Sequence, residues 1–477
     1  MLKMIVKKEL QNNIFSFRFL VAFVLLIIIV AITVFILTDD YVKKVDEYSK
    51  RQSEIDNYMR NYAHFNRVGA VIMPSQPPLP FSCLIRGISP DDENVFGEFN
   101  TDPLPVMFPL IDLTFIVTIL VSLIALLFSY DSICGEKEEG TLKLILSNKL
   151  SRVEVILGKI IGGILTLFIP FLISLAIGLL IINLNRGVSW KEANWGAFGF
   201  IFLGAVLYFT FFYCIGIFIS SRHHSSSSSI MTSLFVWVLF ILIIPNLSPY
   251  VASFLYPTPS KIKIEREIRG ITDVGRDELG MKLAKEKELE MYRKYPFLEE
   301  RLNETEFQRR INEDPIYSKA YKELKQERQK AWDEANRIQS EKAGIIRREL
   351  NRKEEYQTKL SIYISMLSPL SDFTYLARDF SSAGMRNMLY FNEIEREWNQ
   401  AFTDYSKKKR ASLERNNPAV DVWNTPVDMS DRPRFKYREE ALAGRFIWTL
   451  PFFIVLILYN LIFFTASYVS FIKYDVR

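Results

Sequence analysis

The chain has little of what metal-centred or nucleophilic chemistry needs. Cysteine occurs three times in 477 residues, at Cys83, Cys134 and Cys214. Positions so far apart make neither a disulfide framework nor a thiolate metal site. Histidine is as scarce, limited to His64 and the adjacent His223 and His224. Neighbouring histidines in a tight turn supply too few ligands for a metal, and no Ser/His/Asp set or paired-carboxylate arrangement accompanies them. No catalytic, cofactor-binding or metal-binding residue is assigned. A phosphate-binding loop is missing as well: Gly158-Lys159 is followed by Ile160 and lacks the upstream glycine. Nor is there an excess of one charge. The 59 basic and 54 acidic residues leave a net +5 with no basic tract, which speaks against a nucleic-acid partner.

Long apolar runs are abundant. A bilayer core of roughly 30 Å takes about 20 apolar residues per helix, and six stretches meet that length or nearly so: 17–37, 110–130, 160–184, 195–220, 230–247 and 445–472. The run Leu360–Leu370 is too short to span and reads as a buried or interfacial helix. The first run is too long for a signal-peptide core and no small-residue cleavage site follows it, so it is expected to stay as an anchor. Lys and Arg set the orientation. Lys3, Lys7, Lys8 and Arg18, then Lys137, Lys143, Lys149, Arg152 and Lys159, then Arg222, Lys473 and Arg477 collect on one side. The opposite short loop offers only Arg186 and Lys191. Both termini are therefore expected inside a cell (cytoplasmic or inner) membrane, with 1–16, 131–159 and 473–477 cytoplasmic and 38–109 and 248–444 outside.

Both outer segments carry helix-forming charge. Asp39–Arg67 reads as a charged helix, followed by the proline-rich stretch Met73–Pro80. Lys261–Tyr295 and Ile316–Tyr356 are dense in Glu, Lys and Arg at helical spacing, with Pro296 between them, and predict a helical hairpin. The fold class is thus an all-α polytopic membrane protein: six transmembrane helices and a large, mostly helical extracytoplasmic domain between the last two.

The loop 131–159 is the candidate site. Glu136, Glu138 and Glu139 precede Gly140-Thr141 and a short amphipathic turn in which Leu142, Ile145 and Leu146 form an apolar edge. A motor docking there needs apolar knobs and charges that fix register. Ahead of the first span, Leu2, Ile5, Val6, Leu10 and Ile14 share one helical face, as in an amphipathic helix on the inner leaflet. Other features read blandly. Arg222–Ser229 is a hydrophilic turn, Gly158, Gly162 and Gly163 form a helix-packing face, Asn303-Glu-Thr305 is a chance glycosylation match, and Asp112 is a solvated helix start or a functional membrane carboxylate.

The pattern Glu136-x-x-Glu139-Gly140-Thr141-Leu142, then Ser151-Arg152, then Gly158-Lys159, resembles the cytoplasmic loop of ABC-2-type permeases. Lys8-Glu9-Leu10 is similar to that family's N-terminal signature, and Trp237 with Pro245 to its fifth-span pattern. Leu367–Phe373 and the ending Phe471-x-Lys-Tyr-Asp-Val-Arg477 resemble a subgroup with a large outer insertion, related to gliding-motility and nitrous-oxide-reductase maturation permeases. The resemblance covers all spans and both termini but little of 261–356. It departs at Asn148-Lys149, where family members often carry proline. It implies an exporter-like permease subunit that is not itself an enzyme. A second permease chain would pair with it, as homo- or heterodimer, and a separate ABC ATP-binding subunit holding ATP and magnesium would dock on Glu136, Glu139, Gly140, Thr141, Leu142, Leu146, Arg152 and Lys159. An alternative is a mechanical relay or scaffold that works an extracytoplasmic partner protein while nothing crosses the bilayer. The orientation has a direct test: a cysteine at Ser147 should be shielded from an impermeant thiol reagent in intact cells, and one at Ser318 should react.

Overall fold

The computed structural model describes residues 2–65, 74–87, 111–147, 151–300, 302–416 and 425–473. Among these the chain forms helices and turns, with no strand. Helix α1 (Leu2–Ile14) and the long α2 (Phe17–Asn61) come first. One turn at Leu113–Phe115 and a π-helical stretch, Ile116–Val121, lead into α3 (Ser122–Ser129). The short α4 (Cys134–Glu138) and α5 (Thr141–Ser147) precede α6 (Arg152–Leu184) and α7 (Glu192–Arg222). Then come α8 (Ser226–Val238), a second π-helical stretch at Leu239–Ile243, and α9 (Ile244–Leu255). The charged region holds α10 (Lys261–Arg269), α11 (Arg276–Lys294), α12 (Glu304–Glu313) and α13 (Pro315–Ser365). Helices α14 (Pro369–Phe380), α15 (Met385–Asn416) and α16 (Leu442–Ile472) close the chain. Two compact units result: Met1–Pro245 with Ser365–Arg477, and Asn246–Ile364.

Among the described residues six helical segments are long and apolar enough to cross a membrane: Phe17–Asn61, Leu113–Glu138, Arg152–Leu184, Asn194–Arg222, Ser226–Leu255 and Leu442–Ile472. They coincide with the six apolar runs. The expected boundary at residue 37 is not a helix end, because α2 continues to Asn61. Ion pairs one turn apart, Lys43–Asp39 at 2.6 Å, Lys44–Asp40 at 3.0 Å and Lys50–Asp46 at 2.5 Å, sustain the helix past its apolar part. Leu110, where the second span was expected to begin, lies outside the described residues, as do Asn148, Lys149 and the last four positions.

In the larger unit α7 is the central element. Tyr208, Phe209, Phe211, Phe212 and Tyr213 are all buried, so the helix offers apolar surface around most of its girth, as a helix surrounded by others must. Its Tyr208 hydroxyl donates to the Thr118 carbonyl at 2.9 Å, within the first π-helical stretch. Trp237, half of the pattern noted in the fifth span, donates from Nε1 to Ser122 Oγ at 2.9 Å and so ties the fifth span to the second. Helix α14 packs on α7 and α16 without being a span itself. It begins at a turn whose Ser368 Oγ donates to the Phe240 carbonyl, and ends where Arg445 Nη1 donates to the Phe380 carbonyl at 2.8 Å. The expected short helix at 360–370 is therefore two pieces: the end of α13 and, past the turn, the start of α14. Asp112 caps the turn at Leu113–Phe115, accepting from Phe115 N at 2.7 Å and Arg86 N at 3.0 Å. It is a buried helix start rather than a solvated one.

The smaller unit is an antiparallel hairpin, as the charge pattern predicted. Lys261 meets Glu354 at 3.5 Å, Gln339 Nε2 donates to the Gly275 carbonyl at 3.1 Å, and Lys294 meets Glu323 at 2.9 Å. Partner numbers fall as the other strand's rise, which fixes the antiparallel register. Met291, Leu298, Tyr317, Ala320 and Leu324 form an apolar core at the Pro296 turn. Asn303 is the N-cap of α12, accepting from Glu306 N at 2.8 Å, which gives that asparagine a structural role. At Gly280 a Cβ would stand 2.4 Å from the Trp332 ring, so the two arms can touch there only without a side chain. Gly280→Val should therefore overpack the arms, destabilise the hairpin by roughly 1–3 kcal/mol and expose it to proteolysis, while Gly344→Ala should not.

Candidate functional site

Helix α6 starts with a reciprocal cap. Ser151 Oγ accepts from Glu154 N at 3.2 Å, and the Glu154 carboxylate accepts from Ser151 N at 3.2 Å. Two turns on, Lys159 is only 2% exposed. A buried ammonium needs charged partners, since an isolated one is very costly. Two reach it from separate elements: Glu9 Oε1 of α1 at 3.1 Å and Glu136 Oε1 of α4 at 2.9 Å. Small residues let α1 come close enough. A Cβ on Gly158 would lie 2.5 Å from Ile5 Cγ2, and one on Gly162 would lie 2.8 Å from Glu9 Cβ. The glycine face thus receives α1, whose Ile5, Val6 and Glu9 are half-buried against it. At Gly163 the added carbon would meet the Tyr213 hydroxyl of α7, which donates to the Lys159 carbonyl at 3.3 Å.

The same loop is pinned to three other spans. Ser220 Oγ of α7 accepts from Ile133 N at 3.0 Å and Cys134 N at 3.1 Å, satisfying donors at the start of α4. Lys137 Nζ donates to the His223 carbonyl at 3.0 Å, which ties the histidine turn to the loop through its backbone. Arg18, at the foot of α2, meets Asp131 at 2.5 Å and stands over the Tyr130 ring. Arg152 Nη1 donates to the Ile472 carbonyl at 2.6 Å, at the end of α16.

The residues picked out from sequence therefore divide. Glu136, Lys159 and Arg152 make internal contacts, and Leu142 is 2% exposed, so these four hold the loop to the spans instead of forming its outer edge. Thr141 Oγ1 donates to the Glu136 carbonyl at 3.2 Å and closes the turn between α4 and α5. That turn requires Gly140, at φ +72°, a left-handed conformation that costs glycine little. Glu139 and Gly140 are exposed, and so are Lys143 and Leu144. The Leu146 side chain lies outside the described residues. Leu144, 68% exposed, is an apolar surface position that the sequence reading passed over. Glu9 was noted only as part of a signature. Its place on the apolar face of α1 was the available sign that it points inward.

Buried helices fastened to one loop by a charged hub define a polytopic membrane protein with a rigid handle at one end. The chain belongs to the family described as ABC-2 family transporter protein, matching it over residues 3–476. Two proteins named "Probable ABC transporter permease protein NosY" are similar to it. The one from Stutzerimonas stutzeri is 34% identical over 170 residues, 35% of this chain and 59% of that protein. The one from Pseudomonas aeruginosa is 33% identical over 170 residues, with the same shares. The match thus spans 59% of the length of these curated relatives.

The charged hub makes a quantitative prediction. Lys159→Met leaves two half-buried carboxylates without their shared cation and should destabilise the protein by roughly 3–5 kcal/mol. Adding Glu9→Gln and Glu136→Gln to that variant should recover much of the loss. Thermal unfolding of the three proteins (unsubstituted, single and triple variant) in detergent measures both effects.

Proposed function

We propose that the chain is the permease subunit of an ABC-2-type exporter, driven by a separate ATP-binding subunit that docks on the loop 131–159 from the cytoplasm. The observation that carries this reading is the hub: one loop is joined to the N-terminal helix and to the ends of α2, α6, α7 and α16. Force applied to that loop reaches most of the bundle at once. In this reading ATP and magnesium reside in the partner, a second permease chain completes the pathway, and both termini are cytoplasmic in a cell membrane. The docking surface is the exposed side of the α4–α5 turn, with Glu139, Gly140, Lys143 and Leu144 outward. Arg152, Lys159, Glu136 and Leu142 transmit the movement from behind it.

A second reading keeps the motor but removes the cargo: the chain relays movement to an extracytoplasmic protein. The charged hairpin 261–356 favours it, being far longer than a connection needs to be. Reconstitution in vesicles with the ATP-binding subunit addresses both readings. The permease should stimulate ATP hydrolysis, and Lys143→Glu with Leu144→Asp should abolish stimulation and co-purification without unfolding the chain, since lost interface anchors typically cost roughly 2 kcal/mol or more. Normal stimulation by that double variant would move the docking site elsewhere. Flux of a vesicle component during hydrolysis selects export, and hydrolysis without any flux selects the relay.

A further inference from the structure

Helix α14 enters the larger unit level with the middle of three candidate spans. The turn before it donates a hydrogen bond to the Phe240 carbonyl, near the midpoint of Ser226–Leu255, and accepts one from the Tyr459 hydroxyl, near the midpoint of Leu442–Ile472. Its Phe373 stacks on Tyr208, near the midpoint of Asn194–Arg222, with ring centres 5.4 Å apart. Its other end reaches Arg445 and Trp448, in the first turns of α16. Helix α14 thus runs from the mid-span level at its start to the level of the first turns of α16 at its end.

Asp372 sits near its inner end, 0% exposed, and neither carboxylate oxygen has a hydrogen-bond partner. Buried polar groups are almost always satisfied, so this one calls for a reason. The ionisable groups around it offer no compensation. On α16 the nearest is the Tyr459 phenol, whose hydroxyl donates to the Met366 carbonyl at 3.4 Å. On α7 the Tyr208 hydroxyl, beside Phe373, is committed to the Thr118 carbonyl. Tyr375, on α14 itself, is hydrogen-bonded with Ser365 at 3.1 Å. The π-helical stretches Ile116–Val121 and Leu239–Ile243 carry no ionisable side chain. Asp112, before the first of these, caps its own helix, and on the α15 side Arg386 is paired with Glu440. With no hydrogen-bond donor and no ion-pair partner for it among the described residues, an ionised carboxylate there is so unfavourable that the group takes a proton instead. Carboxyls at membrane depth are costly, and where found they mark ion or proton pathways.

We propose that Asp372 is a proton-binding site worked by the conformational cycle. With α14 closed against α7 and α16, the carboxyl is neutral. When the helices part and water enters, the O–H bond breaks heterolytically, the electron pair stays on the carboxylate and the proton passes to water. Closure reverses the step, so each permease chain takes up and releases one proton per cycle, with no redox change. That the cycle is driven by ATP rests on the function proposed above; the proton site itself does not.

Two measurements test the site. In lipid nanodiscs at neutral pH, the full chain should show the infrared carbonyl band of a protonated, non-hydrogen-bonded carboxylic acid. Asp372→Asn, isosteric and uncharged, should fold and lack it. The absence of this band from the unsubstituted chain, or its persistence in the variant, would overturn the proposal. In the vesicles with the ATP-binding subunit, closure should need a proton, so stimulated hydrolysis should fall on the alkaline side by up to about tenfold per pH unit. Asp372→Asn should flatten that limb and Asp372→Glu should restore it. An Asn profile superimposed on the original would also overturn the proposal. A chain that shows the band but stimulates no ATPase would sink the motor reading and leave the proton site standing.

Discussion

A single buried ammonium organises the end of the bundle that carries the N-terminus. Lys159 cannot sit at 2% exposure without compensation, and here two carboxylates supply it. One arrives on α1, which obliges Gly158 and Gly162 to lack side chains; the other arrives on α4, which fixes the start of the loop. From α4 the constraint spreads outward through Ser220, His223 and Asp131 to α7 and α2, and through Arg152 the start of α6 is tied to the end of α16. A loop held in this way moves as part of the helices it joins. The turn beyond it, at Glu139 and Gly140, stays exposed.

The spans were legible because hydropathy is a local, one-dimensional property. An apolar run long enough to cross a bilayer stays apolar whatever packs beside it, and all six runs became helices. The hairpin was legible for a similar reason, since Glu–Lys spacing and Pro296 act within a few residues. What was hidden depends on contacts far apart in sequence. Glu9 and Lys159 are separated by 150 residues, and Arg152 and Ile472 by 320, so neither spacing nor periodicity announces them. This is why the sequence singled out Arg152, Lys159 and Leu142 without showing the contacts that hold them to the spans. Leu144 was missed because the turn's apolar edge was drawn through Leu142, Ile145 and Leu146, while the buried side of α5 includes Leu142 and the outer side includes Leu144.

Helix α14 shows a different limit. It is too short and too mixed to register as a span, with Asp372, Arg378 and Asp379 among its twelve residues. Only the packing reveals that it enters at the level of mid-span. Its outer end is firmly held, and Ser382 just beyond adopts a positive φ of 57° while Arg445 Nη1 donates to its hydroxyl at 2.7 Å. Strain of this kind persists where the surroundings over-determine the backbone. Held at one end and carrying an unsatisfied acid at the other, α14 has its weakest point deep in the bundle.

Helix α2 is fastened at both extremes. Near its foot Arg18 is tied to Asp131. Near its tip Asp56 meets Arg432 at 2.6 Å, and the Met59 carbonyl accepts from Met429 N at 2.9 Å, just ahead of α16 in the chain. Its 45 residues, at about 1.5 Å each, make a strut of roughly 67 Å. The mechanical advantage of such a strut is simple trigonometry: a tilt of about 5° at the foot sweeps the tip through roughly 6 Å. A small rotation at one surface would thus become a displacement of several bond lengths at the other, with no proline or glycine along the shaft to absorb it.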